Sequence, residues 1–411
     1  DPVVLGALHS AAHPAPVPGD DENAVKAYVS AKDSRLEFDD ARPAITLSTA
    51  GGAALVFDDE QDEGRWVANT LAGFEAEHGR PATTGKDVRK HMEAEPFHQF
   101  WLSSLRHQQD LMWDNVAVSV DRQADELQAK FKALDNPRGS LRLNPDMELP
   151  SYIRSFDNHR MPGSYYTETD EDDVRAGALF DGAAALYHVN RNGGGFNDAR
   201  GWTMIDHIET RFPDLGAPQR ILDMGCCVGH STLTYCEKWP EAEVHGIDIG
   251  APLLRYAHAR TEHLGYAVHY SQQNAEQTDF PDGHFDLIVS TAVIHETNRV
   301  ATQRIFAECK RLLRPGGVMA HLEVPVRYEH MGVWEQIRAD WESQVNNEPY
   351  IAGMARLDLA ELAREAGFRD ADAGYHWQVP GFIPGKQGFE REGGPDGTLK
   401  IGSWYLVSGQ A

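Results

Sequence analysis

The chain changes texture near residue 200. Before it, apolar positions recur at helical spacing; after it, they come in short, nearly continuous runs. Between 97 and 134, Phe97, Trp101, Leu105, Leu111, Val116, Val120, Leu127 and Phe131 fall near a helical period. That predicts one long helix, or two broken near Asp114. Residues 24–57 hold short β-like pieces ("AITLS", "AALVF") between Asp and Gly turns, and a helical pattern starts at Arg65. "NPRGSLRLNPDMELP" reads as a connecting loop. A shorter helix covers about 172–189, and "RNGGG" at 191–195 breaks it. The Pro-, Ala- and Asp-rich residues 1–24 are expected to be flexible and ordered only by docking.

Beyond 200 the pattern predicts helix 202–212, strand 220–225, helix 230–238, strand 243–249 and helix 252–264. Strand 267–273, strand 285–291, helix 300–313 and strand 318–324 follow. Nearly all-apolar strands are buried on both faces, and alternating them with helices makes a doubly wound parallel sheet of the α/β class. The end of the chain differs. Helix 357–368 precedes "DADAGYHWQV", a Gly- and Pro-rich excursion, and "GSWYLVSG". Two strands joined without a helix are antiparallel neighbours. The expected organisation is a mainly helical domain over 1–160, serving the substrate pocket or dimerisation. A connecting segment 161–200 covers the ligand site, and a domain 201–411 carries insertions at 326–350 and 380–397.

Composition narrows the function. With 411 residues, 41% hydrophobic positions and nine Trp, there is material for two or three domains at about 150 residues each. The net charge of -25, with no basic stripe, argues against nucleic acid as the main partner. No run approaches the roughly 18 apolar residues of a membrane helix. "VVLGALHSAAHPAPVPG" lacks a basic lead and does not read as a signal peptide; the chain opens on Asp, so a segment ahead of it would go unseen. Four cysteines, all in the second half, make no disulfide framework and suit a reducing, cytoplasmic setting. His91, His98, His107 and His159 show no recognisable ligand spacing, so no metal is expected.

Ligands of a doubly wound sheet bind beyond the carboxyl ends of its strands. "ILDMGCCVGHST" (221–232) is a strand running into a glycine-bearing turn that opens a helix, where electron-rich ligand groups meet free N–H groups. Cys227 stands where a tighter loop has a middle glycine, and a small side chain fits there if φ stays negative. The vicinal Cys226 and Cys227 leave open a redox switch of access to the site. Asp248 ends the next strand about 20 residues after Gly229, the separation of a carboxylate that takes both ribose hydroxyls. A helix N-cap is the competing reading.

Four blocks in order, "ILDMGCCVG", "VHGIDI", "NAEQTDFPDGHFDLIVSTAVIHE" and "RLLRPGGVMAHLEV", resemble the class I S-adenosylmethionine-dependent methyltransferases. The resemblance covers about half the chain, from about 200 to the end. It implies a Rossmann-like sheet with a terminal antiparallel strand, and S-adenosyl-L-methionine as cofactor. It further implies that Asp223, Gly225, Cys226 and Gly229 line the methionine part and that Asp248 and Ile249 lie at the ribose. Asn274 and Ala275 would meet the adenine edge, and Ser290 and Thr291 would floor the site. Asn274 stands where the family usually has Asp, and offers one amide oxygen as acceptor. The "RPGG" turn (314–317) is a helix stop before the fifth strand.

Methyl transfer from a sulfonium is an in-line displacement, so alignment in a site shielded from water carries most of the catalysis. His295 in "VIHE" is the candidate base, oriented by Glu296, with substrate contact and a purely structural role as alternatives. Tyr165, Tyr166 and Arg191 are placed to cap the cofactor carboxylate or close the pocket. Tyr328, His330 and Trp334 are candidate substrate contacts, although Trp334 and Trp341, seven apart, favour packing against the N-terminal domain. The turn-rich 380–397 is a candidate lid. The expectation is methylation of a small molecule at O, N, S or C by an enzyme with no membrane or nucleic-acid partner, compatible with a homodimer. Protein methylation and a non-catalytic cofactor-binding scaffold are the competing functions.

Overall fold

The computed structural model describes residues 34–39, 44–49, 54–93, 96–187, 192, 196–381, 387–390 and 402–411. They fall into two compact units. The smaller holds, among these, residues up to 105 together with 332–338; the larger holds 106–331 and 339–411.

In the smaller unit, β1 (Ser34–Asp39), β2 (Ala44–Thr49) and β3 (Ala54–Asp58) form an antiparallel meander, followed by α1 (Asp59–His78) and α2 (Gly85–Glu93). Its core is Phe74, Val88, Met92 and Ile337, with Leu71, Trp101 and Trp334 packed against it. Trp334 therefore belongs to this core. The boundary between units falls inside α3 (Pro96–Asp121). That helix does not break at Asp114, which faces outward while Trp113, Val116 and Val120 continue the buried stripe past it. The chain turns at Arg122–Gln123 instead and resumes as α4 (Ala124–Lys132).

The segment read as a plain connecting loop contains a strand, β4 (Ser140–Arg142). Two local features make it one. The Glu262 carboxylate accepts the N–H groups of Arg138 (2.9 Å) and Gly139 (2.6 Å), and a side chain at Gly139 would run into the Val268 backbone. Only glycine lets the chain lie this close to its neighbour.

The remainder follows the predicted alternation: α5 (Arg175–Tyr187), α6 (Ala199–Arg211), β5 (Arg220–Met224), α7 (Thr232–Lys238), β6 (Glu243–Asp248) and α8 (Ala251–His263). Then come β7 (His269–Gln272), β8 (Phe285–Thr291), α9 (Arg299–Leu312) and β9 (Leu313–Glu323). The "RPGG" residues, expected as a turn ahead of the fifth strand, are the start of β9, whose register with β8 shifts there. Short helices α10 (Val333–Ala339), α11 (Trp341–Val345), α12 (Ile351–Met354) and α13 (Leu359–Glu365) lead to β10 (Arg369–Trp377), β11 (Phe389–Glu390) and β12 (Ser403–Gln410).

The sheet order is β11-β10-β12-β9-β8-β5-β6-β7-β4. From β4 to β9 every pair is parallel, whereas β12 inserts antiparallel between β9 and β10. Chain direction across the sheet reverses at β5/β8, the switch point where doubly wound sheets bind ligands. Leu222, Met224, Ile288 and Met319 pack on one face with Ile305, Phe306 and Leu359. Ile221, Val244, Leu287, Val289 and Val318 pack on the other with Met204, Ile208, Leu254 and Ala257. Burial on both faces explains why these strands read as continuous apolar runs. A third cluster carries Trp113, Val116, Leu179 and Met161 against Val228, Leu253 and Tyr256.

Candidate active site

A cavity of about 280 Å³ opens at the carboxyl ends of β5, β6 and β8 and is lined entirely by the larger unit. One wall is the loop after β5. Gly225 (φ 68°) and Gly229 (φ 79°) are left-handed, and a Cβ at Gly225 would stand 2.5 Å from Val293. Cys227 is left-handed as well, at φ 49°. This corrects the expectation of negative φ. The position does have the conformation that favours glycine, and Cys227 is held in it because its N–H donates to Asp248 Oδ2 at 3.0 Å.

Asp248 also accepts the Gly250 N–H at 2.9 Å through Oδ1. It lines the cavity at the end of β6, and burial pushes its carboxyl up against the pull of those N–H groups. Asp223 is buried deeper. Burial raises it to about 7 although Thr232 donates to Oδ2 at 2.6 Å, and Oδ1 has no partner among the described residues. Cys226 and Cys227 line the wall with thiols pushed well above their ordinary value by burial and by Asp248. Such thiols are poor nucleophiles, which disfavours the redox-switch reading.

Ile249, Asn274, Ala275 and Thr291 line the same cavity. The Asn274 carboxamide oxygen accepts the Glu276 N–H at 2.9 Å, so the loop backbone fixes that side chain. Ser290 is not at the surface of the site. It is 1% exposed and bonded to His321 Nδ1 at 2.6 Å, inside the sheet.

At the other end stand His295 and Glu296, on a single turn after β8. Glu296 is not what orients His295, for its carboxylate Oε1 stands 4.0 Å from the imidazole Nε2. Glu323, at the end of β9, does so, with Oε2 2.6 Å from His295 Nδ1. Its other oxygen accepts the N–H groups of Val293 and Ile294. Burial lowers His295, but Glu323, Glu296 and Glu348 outweigh it and raise the imidazole to about 9. Glu296 instead accepts from Asn158, from the Tyr165 hydroxyl (3.1 Å) and from His159 Nε2 (3.1 Å). His159 Nδ1 lies 2.8 Å from Glu348. Burial pushes His159 down, and the two carboxylates beside it carry it well above its usual range.

Sequence spacing missed His159, Glu323 and Glu348 because they lie on three distant segments. It also missed Arg200, in the first turn of α6, which lines the cavity beside Trp404, with its Nε unbonded among the described residues. His230 links this wall to α5, since its Nε2 lies 2.5 Å from Asp181, which also accepts the Tyr256 hydroxyl. The other substrate candidates lie elsewhere. Tyr166, Tyr328 and His330 are not in the lining; the Tyr328 hydroxyl donates to Asp340, and His330 pairs with Tyr375. Trp334 packs in the smaller unit. Arg191 and most of the 380–397 excursion lie outside the described residues.

A doubly wound sheet with an antiparallel β12 beside β9, a glycine loop after the first parallel strand and a carboxylate ending the second define the class I S-adenosylmethionine-dependent methyltransferase domain. Residues 221–317 accordingly match the family model described as a methyltransferase domain. The chain is 36% identical over 109 residues to the demethylmenaquinone methyltransferase of Thermus thermophilus, covering 26% of this chain and 49% of that one. It is 34% identical over 109 residues to the trans-aconitate 2-methyltransferase of an Azoarcus species (26% and 40%). With the malonyl-[acyl-carrier protein] O-methyltransferase of Geobacter sulfurreducens it shares 28% over 182 residues (40% and 64%). The chain thus spans 40% to 64% of the length of these curated relatives. A solved phosphoethanolamine N-methyltransferase of Haemonchus contortus overlays with TM-score 0.40 at 21% identity, covering 51% of this chain and 46% of that one.

Proposed function

We propose that this protein transfers the methyl group of S-adenosyl-L-methionine to a small-molecule acceptor held in the cavity. The observation that carries it is one continuous lining that joins two kinds of chemistry. Asp223, Gly225, Asp248 and Asn274 form the cofactor part, and His159, His295, Glu296 and Glu348 form a polar acceptor part. The small-molecule acceptors in the names of two of the relatives, demethylmenaquinone and trans-aconitate, support the same reading.

In this reading the ribose hydroxyls replace the N–H groups now held by Asp248 or share its carboxylate with them. Arg200 takes the cofactor's carboxylate, a partner its Nε lacks among the described residues. Trp113, Ile153, Phe180 and Ile351 supply apolar wall that excludes water from the displacement. Tyr165 closes over Glu296, as its hydroxyl already does at 3.1 Å. The test is incubation of the purified chain with methyl-labelled cofactor and fractionated metabolite extract, followed by mass spectrometry. A labelled small molecule formed by the wild type and not by Asp248→Ala is the expected result. Label appearing only in protein, or in nothing, would overturn the proposal.

A further inference from the structure

The acceptor end of the cavity brings together side chains from three segments that sequence spacing keeps far apart. We infer that His159 Nε2, His295 Nε2 and Glu296 Oε1, with Glu348 beside them, form a binding site for a divalent cation. The cation's part in the reaction rests on the methyl-transfer reading; its binding does not.

Spacing is the first reason. Ligand atoms of His159, His295 and Glu296 all lie within 4.8 Å of one another. His159 Nε2 is 3.1 Å from Glu296 Oε1. His295 Nε2 is 4.0 Å from that same oxygen and 3.7 Å from Glu348 Oε2. The last two distances are too long for hydrogen bonds. They are the separations of donors that share one ion: bonds of about 2.1 Å place ligands about 3.0–4.2 Å apart, depending on the angle.

The outer contacts are the second reason. His295 offers Nδ1 to Glu323 (2.6 Å) and His159 offers Nδ1 to Glu348 (2.8 Å). Each imidazole is therefore held by a carboxylate through one nitrogen and turns the other toward Glu296. Metal-bound histidines are held in this way, because the carboxylate fixes both tautomer and ring angle. Glu296 is itself held by Asn158 and Tyr165. His159 and Arg160 sit at φ 51° and 58°, a conformation that persists where surroundings over-determine it.

Charge is the third. Glu296, Glu323 and Glu348 are only 8%, 0% and 2% exposed. Three carboxylates withdrawn from water need compensating cations or protons, and a divalent ion supplies two charges at one point. Two imidazoles and a carboxylate leave coordination positions open, and all three residues line the cavity. The occupant of those positions would be a hydroxyl-bearing acceptor, preferably one with a second oxygen to chelate. Binding lowers the pKa of the hydroxyl. The O–H bond breaks and its proton goes to water. The oxygen lone pair then forms the O–CH3 bond as the CH3–S bond breaks, and the sulfonium leaves as a neutral thioether.

The test loads the metal-stripped full chain with Co²⁺ and, separately, Mn²⁺. One Co²⁺ per chain with visible absorption is expected, as is imidazole-nitrogen modulation in pulsed electron paramagnetic resonance of the Mn²⁺ form. His159→Asn/His295→Asn should lose both signals while still binding S-adenosylhomocysteine by calorimetry, which shows that it folds. The Glu77, His78 and His91 group of the smaller unit, with His91 half-buried, is the internal rival. Absence of stoichiometric metal, or its loss in His91→Ala with retention in the double variant, would overturn the inference. If a variant is insoluble, nitrogen modulation in the wild type decides, and its absence counts against the site. S-adenosylhomocysteine binding by the wild type without any metal would sink the cation and leave methyl transfer standing.

Discussion

Replacing Arg200 with Met should separate cofactor recognition from stability in opposite directions. The side chain stacks near Trp404, with its guanidinium carbon 5.6 Å from the ring, and its Nε has no partner among the described residues. Burial pushes its pKa down to about 10. At about 1.4 kcal/mol per pH unit, the charged form is disfavoured by about 3 kcal/mol in the ligand-free protein. Solvent reaching the cavity reduces that figure. Met keeps the stem and removes the charge, so the ligand-free Arg200→Met protein should melt higher than wild type in calorimetry. With cofactor bound, the same guanidinium pairs with a carboxylate, and losing one partner of such a pair costs about 3 kcal/mol or more. Calorimetric titration should then show S-adenosylhomocysteine binding weakened about 100-fold. 5′-Methylthioadenosine, which lacks the carboxylate, should bind both proteins alike. If the variant melts lower, or if both ligands weaken equally, Arg200 is a packing residue and the assignment falls.

Four further outcomes follow from the glycine loop and its carboxylates. Asp248→Ala should abolish detectable binding of S-adenosylhomocysteine and also lower the melting temperature, because two N–H groups lose their acceptor at about 1–3 kcal/mol each; unchanged binding would refute its role. Asp223 holds a proton in the fold up to about pH 7 but gives it up near 3.8 when unfolded. Ligand-free stability should therefore fall as pH rises from about 4 to 7, and Asp223→Asn should flatten that slope in denaturant titrations at pH 5 and 8; parallel slopes would refute it. Cys227→Gly should be tolerated to within about 1 kcal/mol, since it relieves the left-handed residue while freeing the unfolded chain, whereas Cys227→Val should cost more. Equal melting temperatures for Gly and Val would contradict the strain reading. Both Cys226 and Cys227 should resist iodoacetamide at pH 8 in the folded protein.

The parallel sheet was legible because its strands are buried twice over. Ile221 and Leu222 in β5, and Leu287, Ile288 and Val289 in β8, are consecutive buried apolar residues with no polar residue between them. Asp223, Gly225, Cys226 and Cys227 of "ILDMGCCVG", together with Asp248, Asn274 and Thr291, reached the cavity wall because each lies at or just past a strand end, whereas Gly229, expected beside them, is not in the lining. Ser290 illustrates the limit of that logic. One residue earlier on β8 points into the sheet, and only the pleat decides which of two neighbours is inside. Glu323 and Glu348 were invisible for another reason: local pattern carries no record of which loops meet. The signal for Glu323 was present in "HLEV", since a carboxylate within a buried parallel strand is costly unless it has partners. His159 followed no pattern, and only the positive-φ turn that lifts it reveals its destination. The short strand β4 was hidden because three residues carry no period; Gly139 was its sole mark.

The two ends of the nine-stranded sheet also bear on how copies of this chain behave when concentrated. Among the described residues, one margin is β11, two residues long, and the other is β4, three residues long. Each terminates a stack of longer strands whose hydrogen-bonding groups would otherwise face outward. Arg142 on β4 is locked to Asp279 at 2.6 and 2.9 Å, placing a charged pair on the outermost rung. Short, charged margins give an incoming strand little to extend. Stripping β4 back to its loop would bare β7, "HYSQ", as a template for intermolecular pairing. A chain altered at Gly139 should therefore betray itself by aggregating on warming before its cofactor affinity changes.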